Sequence, residues 1–79
     1  MKKEEFIEKL KDALEIEDED KQVTTSTDLR YLEEYDSLSV LSIIAMIDKY
    51  FGKQIPSADF AKVTTVKTLM NLIGERYFE

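Results

Sequence analysis

The sequence predicts an all-α protein: a small four-helix bundle with three main amphipathic helices, a short third helix, and a long loop between helices one and two. Three observations carry this expectation. Apolar residues recur at three- and four-residue spacings in three separate segments. No stretch of any length alternates as a half-buried strand would, and only 2 Gly and 1 Pro punctuate the 79 residues. A chain of this size holds one domain, taken as residues 1–79, near the lower limit at which a single core sustains a fold.

In the first segment Phe6, Ile7, Leu10, Ala13 and Leu14 make one apolar stripe on an otherwise charged helix. The run Glu17-Asp18-Glu19-Asp20 ends that pattern. It lacks the glycine and spaced ligands of a calcium loop and reads as a solvated acidic turn. Residues 21–36 have no sustained period and read as a long loop with Leu29, Tyr31 and Leu32 as apolar anchors. A loop of that length is uncommon in a small domain and is often functional.

The helical period returns from Asp36 to Phe51, where Val40, Ile43, Ile44, Ile47 and Phe51 share one face. Asp36 or Ser37 supplies the N-cap, because a short polar side chain can accept from a free amide of the first turn. Gly52 suits the far end. Residues 53–58 turn around Pro56, and a short helix follows near Ala58 to Lys62. In the last helix Thr64 or Thr65 is the cap, Val66, Leu69, Met70 and Ile73 form the buried stripe, and Gly74 loosens the final turn.

Composition excludes several functions. With no Cys there is no disulfide framework or thiol nucleophile, and with no His there is no Ser-His triad or imidazole metal site. A formal net charge of −6 argues against nucleic acid, which needs a basic footprint. The longest purely apolar run, Ile43 to Ile47, is too short for membrane insertion. The expectation is a cytoplasmic protein that is not an enzyme and binds no metal.

The second helix carries an apolar surplus. With its core face assigned, Leu38, Leu41, Ala45 and Met46 lie around the opposite side, flanking the polar strip Ser39, Ser42 and Lys49. Such residues mark a candidate docking surface, although the long loop could cover Leu41 and Met46. Ser37 stands where the long loop meets this helix. Free amides and the helix dipole favour a negative group there, so a phosphodiester on its oxygen would be well placed. The plain alternative is a serine that only caps the helix.

Asp36-Ser37-Leu38 is followed by Ile55-Pro56, with Pro56 nineteen residues after the serine, and then by Lys62-Val63-Thr64-Thr65-Val66. This order and spacing resemble the acyl carrier proteins. In that family an Asp-Ser-Leu serine opens the second helix, an Ile-Pro turn precedes the short third, and a Lys-Ile/Val-Thr-Thr-Val segment starts the fourth. Leu32 looks like the leucine of the Asp-Leu-Gly stretch before the motif, and Met1 to Leu14 fits the first helix. The resemblance covers nearly the whole chain.

The resemblance implies that Ser37 receives 4′-phosphopantetheine from coenzyme A through a separate phosphopantetheinyl transferase. The thiol of that arm would carry acyl groups as thioesters to acyl-transfer, synthase or ligase enzymes of fatty-acid, polyketide or related lipid pathways, with the carrier a monomer. It implies an acyl pocket at Ile44, Ile47, Ile55, Phe60 and Ala61, each of which would serve equally as plain core. It also implies a partner-binding face at Asp36, Leu38, Ser39, Leu41, Ser42, Ala45, Asp48 and Lys49.

The chain departs from the family pattern at several of these positions. Ser39 replaces the usual Asp, Ser42 a usual Glu, and Lys49 an acid, while Glu33-Glu34-Tyr35 stands where Gly-Ala or similar is usual, with one extra residue. Partners are therefore expected to read Leu38, Leu41 and Ala45 more than acidic charge, with Glu33, Glu34 and Asp36 as the remaining negative rim. Two alternatives stay open: an aminoacyl or peptidyl carrier, against which the Asp before Ser37 speaks, and an unmodified helical interaction module.

Overall fold

The computed structural model describes residues 1–18 and 20–79, so Glu19 of the acidic run lies outside the described residues. Among the described residues three α-helices make the bundle: α1 (Lys3–Ala13), α2 (Ser37–Phe51) and α3 (Val66–Ile73). Three short 3-10 helices join them, at Leu29–Tyr31, Ser57–Lys62 and Glu75–Tyr77. The protein is all-α, as the periodicity predicts; the short third helix is the 3-10 segment Ser57–Lys62.

Helix α1 turns Phe6 and Leu10 inward, and Leu14 completes the stripe at its C-cap. It stops before the acidic run because Glu15 adopts a left-handed conformation (φ 59°). The amide of Ile16 then donates to the carbonyl of Lys11 and that of Glu15 to Asp12, a double turn that satisfies two orphan carbonyls. Ile16, freed from the helix, is buried.

The long loop is tied down rather than loose. The first two amides of α3 have no intrahelical partner, and the loop supplies one for each: Val66 donates to the carbonyl of Thr27 and Lys67 to that of Thr25. Leu29 returns a bond of 2.7 Å to the carbonyl of Thr64 and is fully buried, and Asp28 forms an isolated antiparallel bridge with Thr65. Of the three expected anchors, Leu29 is in the core and Leu32 is half-buried. Tyr31 is the correction: it is 83% exposed, because the 3-10 turn that inserts Leu29 directs the residue two positions later outward. Val23, not foreseen as an anchor, is buried instead.

Both longer-range helix starts close by the same device. Asp36 accepts from the Ser39 amide at 2.8 Å while the Asp36 amide donates to Ser39 Oγ at 2.8 Å. Thr65 and Thr68 make the equivalent reciprocal pair on α3. Gly52, at φ 64°, takes the left-handed position that ends α2. Helix α3 buries Val66, Leu69, Met70 and Ile73, the full predicted stripe.

Gly74 ends α3 outright rather than loosening its last turn, and the chain then folds back across the base of the bundle. Phe78 meets Phe6 edge-on at 5.0 Å between ring centroids and Phe51 at 5.5 Å, and Tyr77 meets Phe51 at 5.6 Å. Lys53 Nζ donates to the Ile73 carbonyl at 2.5 Å and so caps the C-terminus of α3.

Two stability predictions follow from these contacts. Leu29→Ala removes the loop's deepest side chain and should destabilise the domain by about 2–5 kcal/mol in urea unfolding. Ser39→Ala orphans the Asp36 amide and should cost about 1 kcal/mol, whereas Ser37→Ala, which removes no intramolecular bond, should cost distinctly less.

Candidate functional site

The first turn of α2 sets the chemistry available to Ser37. Asp36 is the N-cap and Ser39 completes its box, so the capping work is done by the residues on either side of the Ser37-Leu38 pair. Ser37 is exposed, and its hydroxyl makes no hydrogen bond among the described residues. The amides of Ser37 and Leu38, the first two of the helix, likewise lack a partner there. The arrangement is an unencumbered hydroxyl beside two free N–H groups at the positive end of a helix of 15 residues.

Among the described residues no side chain accepts a hydrogen bond from the Ser37 hydroxyl, and the neighbouring Asp36 carboxylate is engaged by the Ser39 amide. Across the described residues no group of three or more acidic, Cys or His side chains is placed to hold a metal ion. No described helix is long and apolar enough to cross a membrane.

Of the open grooves that α2 lines among the described residues, two lie on its Ser57 and Ile55-Pro56 side. One of about 600 Å³ has Ser37 in its wall and is lined by Tyr35, Asp36, Val40, Leu41, Ser57 and Phe60. A second, of about 520 Å³, continues along the helix between Leu41, Ile44, Ala45 and Asp48 on one side and Gln54, Ile55 and Pro56 on the other. Leu41 belongs to both and forms the ridge between them.

Of the residues expected to form an acyl pocket, Ile44 and Ile55 line the second groove and Phe60 the first. Ile47 is fully buried in the core and lines neither. Ala61 is a correction: it is exposed and lines neither groove, since in the 3-10 segment its neighbour Phe60 takes the inward position.

Of the expected docking face, Leu38 (73% exposed), Leu41 (58%), Ser42, Ala45, Asp48 and Lys49 lie on the surface together with Asp36. Ser39 does not: it is buried and held on both sides by Asp36, so its hydroxyl is unavailable to a partner. Its role was legible in the spacing Asp-x-x-Ser, the same interval that recurs in Thr65-x-x-Thr68. Met46, placed among the outer residues by the sequence, is buried against α1, near Ala13 and Asp12. The sequence does not assign Tyr35, Val40 and Ser57 to this site: Val40 reads as core although it lies one turn from Ser37 on α2, Tyr35 is two residues before it, and Ser57 is brought there by the fold alone.

The charged rim is smaller than the residue count suggests. Glu34 accepts from Lys21 Nζ through both oxygens, at 2.8 and 2.9 Å, and that hydrogen bond holds its carboxyl below the usual carboxylate range. The Lys21 ammonium is pushed up by the same bond. Asp36 is engaged by the cap, which leaves Glu33 as the acid of this loop with no side-chain partner among the described residues. Burial pushes the Tyr35 phenol up, so it is a protonated donor at neutral pH. At the far end Lys9 and Lys49 both stack over the Tyr50 ring, at 5.0 and 5.3 Å.

The residues around Ser37 fit a covalently attached phosphodiester: the hydroxyl is free, the nearest amides are unfilled donors, and an open groove begins at the same side chain. Comparisons with known proteins concern the domain as a whole. The family model for the phosphopantetheine attachment site matches residues 4–73. The acyl carrier protein of Rickettsia bellii (strain OSU 85-389) is 38% identical over 52 residues, 63% of this chain and 64% of that protein, so the match spans just under two-thirds of the relative. No solved structure matches the chain. With the match running from the first turn of α1 to the last residue of α3, the chain belongs to the acyl carrier protein family, whose cofactor is a covalently attached 4′-phosphopantetheine.

Proposed function

We infer that the 79 residues form a single carrier domain on which Ser37 bears the phosphopantetheine arm, and that the arm's thiol holds acyl groups as thioesters for biosynthetic enzymes of fatty-acid, polyketide or related lipid pathways. The observation that carries this reading is the division of labour at the start of α2. Asp36 and Ser39 cap the helix, so Ser37 is an exposed hydroxyl with no structural task. The plain reading of Ser37 as the cap of the helix gives way, because Asp36 holds that position.

In the attachment step Ser37 Oγ forms a bond to the phosphorus of coenzyme A that bears pantetheine. The phosphoanhydride bond breaks, 3′,5′-ADP leaves, and the hydroxyl proton passes to a base. We assign that base to the transferase, since among the described residues no side chain accepts from the Ser37 hydroxyl and Asp36 is committed to the cap. The free amides of Ser37 and Leu38 then face the new anionic phosphodiester, an interaction worth about 0.3–1 kcal/mol at an exposed helix start. When bound, the arm supplies the thiol that a chain without cysteine lacks.

Partners of this carrier act in the cytoplasm and dock on Leu38, Leu41 and Ala45, with shape and apolar contact outweighing charge. The support is the exposure of these three side chains beside a rim in which Glu34 is paired and Asp36 is engaged.

Incubation with coenzyme A, magnesium and a promiscuous phosphopantetheinyl transferase should add one phosphopantetheine to the intact mass, and Ser37→Ala should abolish the gain. No gain with several transferases would return Ser37 to an unmodified surface residue and favour an interaction module. For docking, Leu41→Lys should lower kcat/KM of acyl transfer by a partner enzyme roughly tenfold with an unchanged unfolding midpoint. Transfer by the parent protein should vary little between low and high salt, and a steep salt dependence would assign recognition to charge instead.

A further inference from the structure

Ser37 opens onto a groove whose lining is mixed in a particular way. Val40, Leu41 and Phe60 contribute apolar wall, Asp36 a carboxylate, and Tyr35 and Ser57 hydroxyls that are not sealed from solvent and make no hydrogen bond among the described residues. Tyr35 comes from the loop just before α2, where its amide is fixed by a 3.1 Å bond to the Leu32 carbonyl and its ring packs against the core. Ser57 comes from the first residue of the 3-10 helix on the other side of α2 in sequence. Both are therefore presented by anchored segments, and neither is used by the attachment chemistry or by the cap. Tyr35 also belongs to the stretch Glu33-Glu34-Tyr35, in which this chain departs from the pattern of its family.

We propose that Tyr35 and Ser57 are positioning residues for the prosthetic arm: their hydroxyls hydrogen-bond the amide groups of phosphopantetheine while Val40, Leu41 and Phe60 receive its gem-dimethyl and methylene carbons. The proposal rests on Ser37 being the attachment site. The occupant follows from continuity, since the groove begins at the side chain that bears the arm, and from complementarity, since an arm of alternating amides and short hydrocarbon segments matches alternating hydroxyl and apolar lining. A long unfunctionalised hydrocarbon would leave both hydroxyls unsatisfied as it covered them. The groove thus holds the arm itself, and the carried group lies beyond it towards Leu41 and the second groove.

The test uses holo protein loaded enzymatically with ¹⁵N- and ¹³C-labelled pantetheine, with intact mass recorded first. Hydrogen exchange at the arm's amides is then compared with free pantetheine, and nuclear Overhauser contacts from its methyl groups are mapped. The expected result is exchange slowed roughly two- to tenfold, the range of one ordinary net hydrogen bond, with methyl contacts to the Tyr35 and Phe60 rings. Tyr35→Phe keeps the ring and its packing, and Ser57→Ala is an exposed change, so both should fold. The double substitution should return exchange to the free value while leaving the mass gain intact. A loaded protein whose arm exchanges like free pantetheine and contacts only Ser37 and its chain neighbours overturns this assignment and leaves the attachment reading standing. A purely structural role for Tyr35 would show as arm exchange unchanged in Tyr35→Phe, and that result also overturns it. Absence of any arm on Ser37 overturns the attachment reading and this proposal with it.

Discussion

A helix begins with amides that its own carbonyls cannot reach, and the way α2 meets that constraint governs the chemistry of the molecule. Asp36 and Ser39 bind each other's amides, which closes the helix start with two side chains that are then unavailable for anything else. The residues between them, Ser37 and Leu38, are left exposed, with their own amides free. A cap made by Ser37 would have spent its oxygen on the helix. Moving the cap one residue earlier releases that oxygen while keeping the local positive field that suits an attached phosphate.

The rest of the fold holds this turn in place. The loop before α2 would cost much conformational entropy if it were free, yet it is tied at Thr25, Thr27 and Leu29 to the start of α3. One set of bonds serves two needs: the orphan amides of α3 find acceptors, and the segment leading to Ser37 acquires a fixed approach. At the opposite end, Phe6, Phe51 and Phe78 seal the base of the bundle, and Lys53 closes the last carbonyls of α3. The grooves beside Ser37 are thus openings in a packed body rather than entrances to a hollow one, since the residues behind them, Ile43, Ile47 and Leu69, are fully buried.

Charge on this protein is less available than its count implies. Among the acids around the site, Glu34 is neutralised by Lys21 and Asp36 is committed to the cap, while Lys49 sits on the helix face itself. Glu33 and Asp48 remain exposed, and with them the apolar ridge of Leu38 and Leu41. Exposed ion pairs set encounter rates and partner choice more than affinity, which is why the proposed docking rests on the leucines.

The amino-acid sequence by itself determined the helices, because a 3.6-residue period is a local property: the stripes of α1, α2 and α3 and the stop at Gly52 follow from neighbours within a turn or two, while each cap was narrowed to two adjacent residues, of which the structure uses Asp36 and Thr65. The motif around Ser37 and the family were legible on the same terms, from residues at fixed spacing. Tertiary structure decided everything that depends on which segments meet. Tyr31, expected as an anchor, faces outward and Val23, assigned no role by the sequence, is buried, because a loop without a period has no face until α3 binds it. Met46 was covered by α1. Ala61 turned outward because a 3-10 segment presents one residue in three. Ser39 became buried once its hydroxyl was taken by Asp36. The groove that joins Tyr35, Ser37, Ser57 and Phe60 exists only when residues more than twenty positions apart are packed against one helix, and no local pattern encodes that distance.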